Sequence, residues 1–251
     1  MHDPQSQSGA EPHPVIAGFY ERRSERQPFV RSLFNTTAAH YDSINRLFSL
    51  GTGTRYRRRC LLRAGLRPGL RVIDVAVGTG LLAAEAIAVI GDAKGVIGVD
   101  LSEGMLAVAR RKLGIPLVQG AAESLPLAGE TADFLTMGYA LRHVSDLVVA
   151  FREFHRVLRR GGTLLLLEIG KPTRPLSRAV VSAYLRRLVP VLSRLTTGDA
   201  RARTLMRYHW ETIENCVPAE RILQAMRDCG FVACRCDVDL DVFRSFIGRK
   251  P

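Results

Sequence analysis

No apolar run in this 251-residue chain reaches the roughly 18 residues that a membrane-spanning helix needs. The longest candidates, GTLLLLEIG and LLAAEAIAVIG, are short or carry a glutamate. The opening MHDPQSQSGAEPHP is polar and proline-rich, with no apolar stretch of the kind a secretion signal has. These absences point to a soluble, cytoplasmic protein with a flexible N-terminal tail over 1–28. Cysteine is scarce and odd in number: Cys60, Cys216, Cys229, Cys234 and Cys236. With no secretion signal, that set argues against a disulfide framework. CGFVACRC puts Cys234 and Cys236 on one face of a strand. No second C-x-x-C or matched histidine pair accompanies them, so no metal site is expected.

Acidic residues are the next shortage. Asp and Glu total 24 against 36 Lys and Arg, which leaves the chain at +12. Residues 71–170 are near neutral at −1, whereas 1–70 and 171–217 carry +6 each. Basic flanks suit contact with an anionic surface, either phospholipid or nucleic acid. No base-stacking or RNA-binding module accompanies them, which disfavours nucleic acid. What the chain has in quantity is apolar residue, 47% of the total, which predicts a packed core.

From Leu70 onward, strand and helix patterns alternate. LRVIDVAVG, GVIGVD, IPLVQG, ADFLTMG and TLLLLEIG read as buried parallel strands. LLAAEAIAVI, SEGMLAVARRKLG and VVAFREFHRVLRRGG read as the helices between them, the second capped by Ser102 and ending at Gly114. This order predicts a parallel sheet with helices on both faces and ligands at the strands' carboxyl ends. After Pro172 the pattern changes. Leu176–Leu195 reads as a basic amphipathic helix, kinked at Pro190, within an insertion over 171–217 that caps those ends. PAERILQAMRDCG is a further helix. FVACRCDVDL and VFRSFIG close the chain as two strands.

DVAVGTG, from Asp74 to Gly80, joins the first strand to the first helix. Gly78 and Gly80 allow a tight turn and close approach to a ligand. Asp100 ends the second strand, where a carboxylate can take a ribose diol. This spacing alone does not choose between NAD and another nucleoside.

A longer set of blocks stands in a recognisable order: LFNTTAAHYDSINRLFSLG (33–51), VIDVAVGTG (72–80), VDLSEGML (99–106), QGAAESLPL (119–127), MGYALRHVSD (137–146), VLRRGGTLLLLEIGKP (157–172) and MRDCGF (226–231). Together they resemble the ubiquinone/menaquinone biosynthesis C-methyltransferase family of class I S-adenosylmethionine (SAM)-dependent enzymes. The likeness runs from Phe29 to Phe231. It implies a Rossmann-like α/β fold: seven strands, mostly parallel, the last antiparallel, with helices on both faces. One methyltransferase domain would span 29–251, with a helical cover over 29–69. The resemblance implies SAM as cofactor. Gly78, Thr79 and Gly80, in a loop with Asp74 and Val77, would face its methionine end. Asp100 would take its ribose. Leu101, Met105, Ala121, Ala122 and Glu123 would surround the adenine, and Tyr41 would fold over the site. Three positions depart from the family's habit. Val77 replaces a glycine, Leu81 an acidic residue, and Ala121 an aspartate that accepts from the adenine amine.

Methyl transfer from SAM is an in-line displacement that requires no metal, and alignment alone can lower its barrier by roughly 7–11 kcal/mol. A phenol or hydroquinone carbon becomes nucleophilic when a ring hydroxyl loses its proton, so a base near the fourth strand's end fits the chemistry. The related block is usually L-R-N-V. Here Arg142 matches, and His143 replaces the asparagine. One reading makes His143 the base and Arg142 the group that stabilises the phenolate. The other makes both structural, bonding a carbonyl or Asp146. Tyr139, His40, Tyr208 and Trp210 are candidates to line the acceptor's side. The expected partner is a small aromatic or lipophilic acceptor, with an anionic membrane surface at the cytoplasmic face as a second. Methylation of another small metabolite or lipid, or ligand binding without transfer, remains the alternative. The oligomeric state, a homo-oligomer included, stays open.

Overall fold

A computed structural model describes residues 10–48, 51–184 and 200–251. Its centre is a sheet of β1 (Val72–Val75), β2 (Val96–Asp100), β3 (Leu117–Gln119), β4 (Ala132–Gly138) and β5 (Leu158–Ile169), all parallel. The hairpin of β6 (Val232–Asp239) and β7 (Phe243–Arg249) completes it, with β7 antiparallel to both β5 and β6. The order is β3-β2-β1-β4-β5-β7-β6. It reverses direction between β1 and β4, which opens the crevice where ligands sit in such sheets. The leucines of β5 show why the sheet is covered twice. Leu164 and Leu166 join one core cluster with Phe151, Phe154 and Met226. Leu165 and Leu167 join another, with Leu61, Ala83 and Ile90, on the opposite face. A strand buried on both sides has no need of polar alternation.

The helices are α1 (Arg26–Thr37), α2 (Tyr41–Phe48), α3 (Gly53–Arg63), α4 (Leu81–Ile90), α5 (Glu103–Lys112), α6 (Leu147–Val157), α7 (Pro175–Ala183), α8 (Ala200–Glu214) and α9 (Ala219–Asp228). Ser102 caps α5 by accepting the Met105 N–H at 3.1 Å, as its position predicts. Asp146 caps α6 through the N–H groups of Val148 and Val149, which is why it bonds neither Arg142 nor His143.

Two expectations meet a different arrangement, and a third falls partly outside the described residues. The segment read as the second half of a loose tail is a packed strap from Ala10 on. Ala10 and Pro12 accept the N–H groups of Leu147 and Val217, and Ile16 and Tyr20 are buried. Arg26, almost fully buried, donates to the carbonyls of His13 (2.7 Å) and Val144 (3.2 Å) and pairs with Glu11. β5 begins at Leu158, five residues before the expected start, because Leu158 already pairs with Ala132 across a bulge. The basic helix is described as α7 to Ala183. The kink at Pro190 and the arginines at 186, 187 and 194 lie outside the described residues.

Candidate active site

The loop leaving β1 bends at Ala76, Gly78 and Gly80, whose φ angles are 53°, 58° and 89°. The Gly78 N–H donates to Asp100 Oδ2 at 2.7 Å, and the Ser102 N–H donates to Oδ1 at 2.8 Å. Two backbone donors thus fix the carboxylate that ends β2. Helix α1 closes over it: Asn35 Oδ1 accepts from the Ser102 hydroxyl (2.6 Å) and the Gly104 N–H (3.0 Å). Asp42 of α2 accepts from the Thr79 hydroxyl and pairs with Lys112. The cavity above this frame, about 100 Å³, is lined by Gly78, Asp100, Leu101, Met105, Ala121 and His143 among others. Burial pushes Asp100 up to about 6, against the pull of its backbone donors. It pushes Asp74 up to about 7, although the Thr136 hydroxyl donates to Asp74 Oδ1 at 2.6 Å. Asp74 Oδ2 has no protein partner.

A second cavity, about 320 Å³, is lined by Tyr41, Asn45, Arg57, Tyr139, Met206, His209 and Phe243 among others. Tyr41 and Tyr139 border both cavities and so stand where the two meet. Tyr139 follows β4 at φ 61°, a strained setting for a residue with a Cβ and one that tends to mark functional sites. Arg57 donates to Asn45 Oδ1 at 2.9 Å and lies 5.6 Å over the Tyr139 ring.

Arg142 borders this second cavity in a fully committed state. Nη1 pairs with Glu168 Oε2 at 2.6 Å, Nε donates to Thr212 Oγ1 at 3.2 Å, and Nη2 meets His209 Nδ1 at 2.8 Å. Glu168 Oε1 accepts the Leu141 N–H at 2.7 Å. His143 differs: it is buried, and neither ring nitrogen has a partner. Its ring stacks on Tyr208 at 5.4 Å and meets Phe34 edge-on at 5.3 Å. Burial first, then Arg142, pushes its pKa well below the usual histidine value and keeps it neutral.

Most of the expected cofactor set lies around the first cavity or the pocket beside it. Tyr41, Gly78, Asp100, Leu101, Met105, Ala121, Ala122 and Glu123 line the first. Asp74, Val77 and Thr79 line the smaller one, with Leu81. Two members are there for packing. A Cβ on Gly80 would run into Leu113, so this glycine seats α4 against α5. The Val77 side chain is buried against Gly98, where a Cβ would meet its methyls at 3.0 and 3.1 Å. A glycine in β2 therefore makes room for the valine. The Glu123 carboxylate is taken by the Ser145 N–H.

On the acceptor side Tyr139 is in place, but Tyr208 and Trp210 are not. Both are buried in the cluster with Ile16, Tyr20 and Val30, and neither lines the cavities described. His40 does not line them either. Sequence reasoning did not single out Arg57 or Asn45, and it weighed Asp42 as a helix cap and His209 as a cap residue beside Tyr208 and Trp210 without assigning either to the site. Asp42 and Asn45 lay within the quoted LFNTTAAHYDSINRLFSLG block, and Arg57 had no local signal.

The sequence model of the ubiE/COQ5 methyltransferase family matches residues 21–239. The chain belongs to that family. Ubiquinone/menaquinone biosynthesis C-methyltransferase UbiE of Coxiella burnetii is 35% identical over 212 residues, covering 82% of this chain and 84% of that one. UbiE of a Shewanella species (strain W3-18-1) is 34% identical over 214 residues, with the same coverage. Among solved structures, a SAM-dependent methyltransferase of Thermotoga maritima superposes with a TM-score of 0.59 at 21% identity, covering 88% of this chain and 99% of that one. That likeness supports the fold.

As a member of this family the chain is a methyltransferase, and SAM is its methyl donor. The residues present fit it. Asp100 is held with lone pairs to spare for a ribose diol, and the backbone of the glycine loop is open to a close ligand. Unpaired buried atoms at Asp74 Oδ2 and His143 border the space a ligand would fill. Buried polar groups left without partners cost about 1–3 kcal/mol each, which a bound ligand can recover.

Proposed function

We propose that the chain transfers a methyl group from SAM to a ring carbon of a quinol or related oxygenated aromatic. The observation that carries this is a largely apolar-walled second cavity that shares Tyr41 and Tyr139 with the cofactor cavity. The UbiE relatives, C-methyltransferases by name, support the same reading. Bound SAM supplies an electrophilic methyl carbon on a sulfonium. Asp100 orients the cofactor through its ribose, and Leu101, Met105 and Ala122 flank the adenine. Tyr41 and Tyr139, bordering both cavities, would help exclude water from the space between donor and acceptor. Glu168 already balances the charge of Arg142 at 2.6 Å, so Arg142 acts here as an organiser of the wall. His143 takes the proton of the ring hydroxyl, directly or through water. Its depressed pKa makes it a weak base that passes the proton on. Incubation with labelled SAM and a prenylated hydroquinone should give a product with a new C–CH₃ bond, read by mass spectrometry and NMR. Absence of transfer to any oxygenated aromatic sinks the reading. A His143→Ala variant with full turnover removes His143 from it.

We also propose that the enzyme works at an anionic membrane surface. No helix among the described residues is long and apolar enough to cross a membrane. Leu176 and Val180 are exposed on one side of α7, and Leu240 is exposed at the β6–β7 turn. Asp241 accepts from the Thr173 hydroxyl and the Arg174 N–H, tying that turn to the start of α7. Leu240, Arg55 and Arg59 line the acceptor cavity. Apolar tips beside arginines suit a headgroup boundary. Flotation with anionic vesicles at low salt should carry the protein upward, and no flotation ends this part of the proposal.

A further inference from the structure

His143 lines the cofactor cavity, and neither of its ring nitrogens has a partner in the protein. No hydrogen bond therefore aims the ring. Its direction is set by the backbone that carries it and by the rings beside it, Phe34 and Tyr208. The backbone just beyond it is held by Arg26, which is 1% exposed. Nη1 of Arg26 donates to the carbonyls of Val144 at 3.2 Å and Ser145 at 3.4 Å. Nη2 donates to the His13 carbonyl at 2.7 Å and pairs with Glu11 at 3.3 Å, and Nε donates to the Tyr20 hydroxyl at 3.3 Å. A guanidinium has five N–H donors in a rigid fork, and these acceptors match them one for one. The peptide group joining Val144 to Ser145 is thus gripped on both sides, its carbonyl by Arg26 and its N–H by Glu123. It cannot rotate without breaking a bond to a charged side chain, and such bonds are the strong ones. The ring side has the same support. Tyr208 packs on Phe19 and Phe29, the first beside Tyr20 and the second one turn beyond Arg26.

We propose that Arg26 is a positioning residue for the methyl transfer, holding His143 aimed at the acceptor's ring hydroxyl by fixing the Val144–Ser145 peptide. This rests on the reading that His143 takes the proton of that hydroxyl. Arg26 lines neither cavity, so its action passes through the backbone. A base has to stand within hydrogen-bond reach of the proton it removes. A lysine here keeps the charge but offers one compact donor group in place of the fork. It cannot serve the strap and the peptide group together.

The test is a double-mutant cycle, run well below the unfolding midpoint of every variant. Arg26→Lys should lower kcat on a prenylated hydroquinone by about ten- to a hundredfold, with SAM affinity by calorimetry and the acceptor's KM within about twofold of wild type. In a His143→Ala background the same substitution should cost nothing further, because no ring is left to aim. Arg26→Gln, neutral and shorter, is the second variant. Full kcat in a folded Arg26 variant, or equal losses with and without His143, overturns the proposal. NMR of histidine-labelled protein gives a readout that needs no turnover, with His143→Ala used for assignment. The His143 ring signals, shifted by the stacked Tyr208, should move in Arg26→Lys, and unmoved signals overturn the proposal as well. Full turnover in His143→Ala alone brings down the reading of His143 as the base instead, while the NMR signals still report whether Arg26 sets the ring.

Discussion

Arg142 shows how a single residue can be visible in sequence and its role hidden. Its position after the fourth strand marked it for the site. Its partners Glu168, His209 and Thr212 lie 26, 67 and 70 residues away, and no local pattern announces them. They turn a free phenolate-stabilising cation into the buried centre of a network. Removing one member of such a pair strands the other charge. Arg142→Ala should therefore lower stability by about 3–5 kcal/mol, measured by chemical denaturation, in addition to any loss of turnover. Asp100 makes a different prediction. Ribose hydroxyls that donate to it favour its ionised form, and burial holds its free pKa at about 6. Cofactor affinity should rise from pH 5 to pH 7 and flatten above. Asp100→Asn should bind more weakly and lose the slope, as calorimetry with SAM would show.

At the level of elements, the alternation of β-branched or leucine-rich strands with alanine- and leucine-rich helices was legible because each has its own period. The early start of β5 was not, since its pairing with Ala132 depends on a neighbour 26 residues back and on Gly161 at φ 76°. Nor was the exchange between Val77 and Gly98, which is a contact between the loop after β1 and the middle of β2. The β6–β7 turn carries the clearest local conflict. Leu240 and Asp241 take φ angles of 54° and 61°, where glycine or asparagine is usual. Asp241 has a reason to be there, because it holds the start of α7. Leu240 is largely exposed and gains no packing. Leu240→Asn should raise stability by about 1 kcal/mol, because asparagine tolerates the left-handed region. If this turn meets the membrane, the same substitution should weaken vesicle flotation, so stability and binding should move in opposite directions.

For the whole molecule, acid behaviour follows from two opposed sets of buried groups. His13, held down to about 4 chiefly by burial, joins His143 and His209 as rings that are neutral when folded and charged when unfolded below about 6.5. Their contribution is lost as pH falls from 6.5. Asp74 and Asp100 act oppositely: their raised pKa values favour the fold at low pH and are lost as pH rises from 3.8 through about 6 to 7. Three rings against two carboxyls should leave the enzyme modestly less stable at pH 5 than at pH 6.5. The double variant His143→Asn, His209→Gln should reverse that slope. Denaturation midpoints at the two pH values provide the check. The strap from Ala10 to Arg26 has a consequence in time. Its anchors include Leu147 and Val217, and its apolar residues share a cluster with Leu205 and Tyr208 of α8. At about 5–20 residues per second on the ribosome, those partners arrive roughly 10–40 s after the strap emerges. Until α8 is out the strap has mainly α1 to pack on, through Phe29, Val30 and Leu33, so Ile16, Phe19 and Tyr20 stay partly uncovered and open to chaperones for that interval.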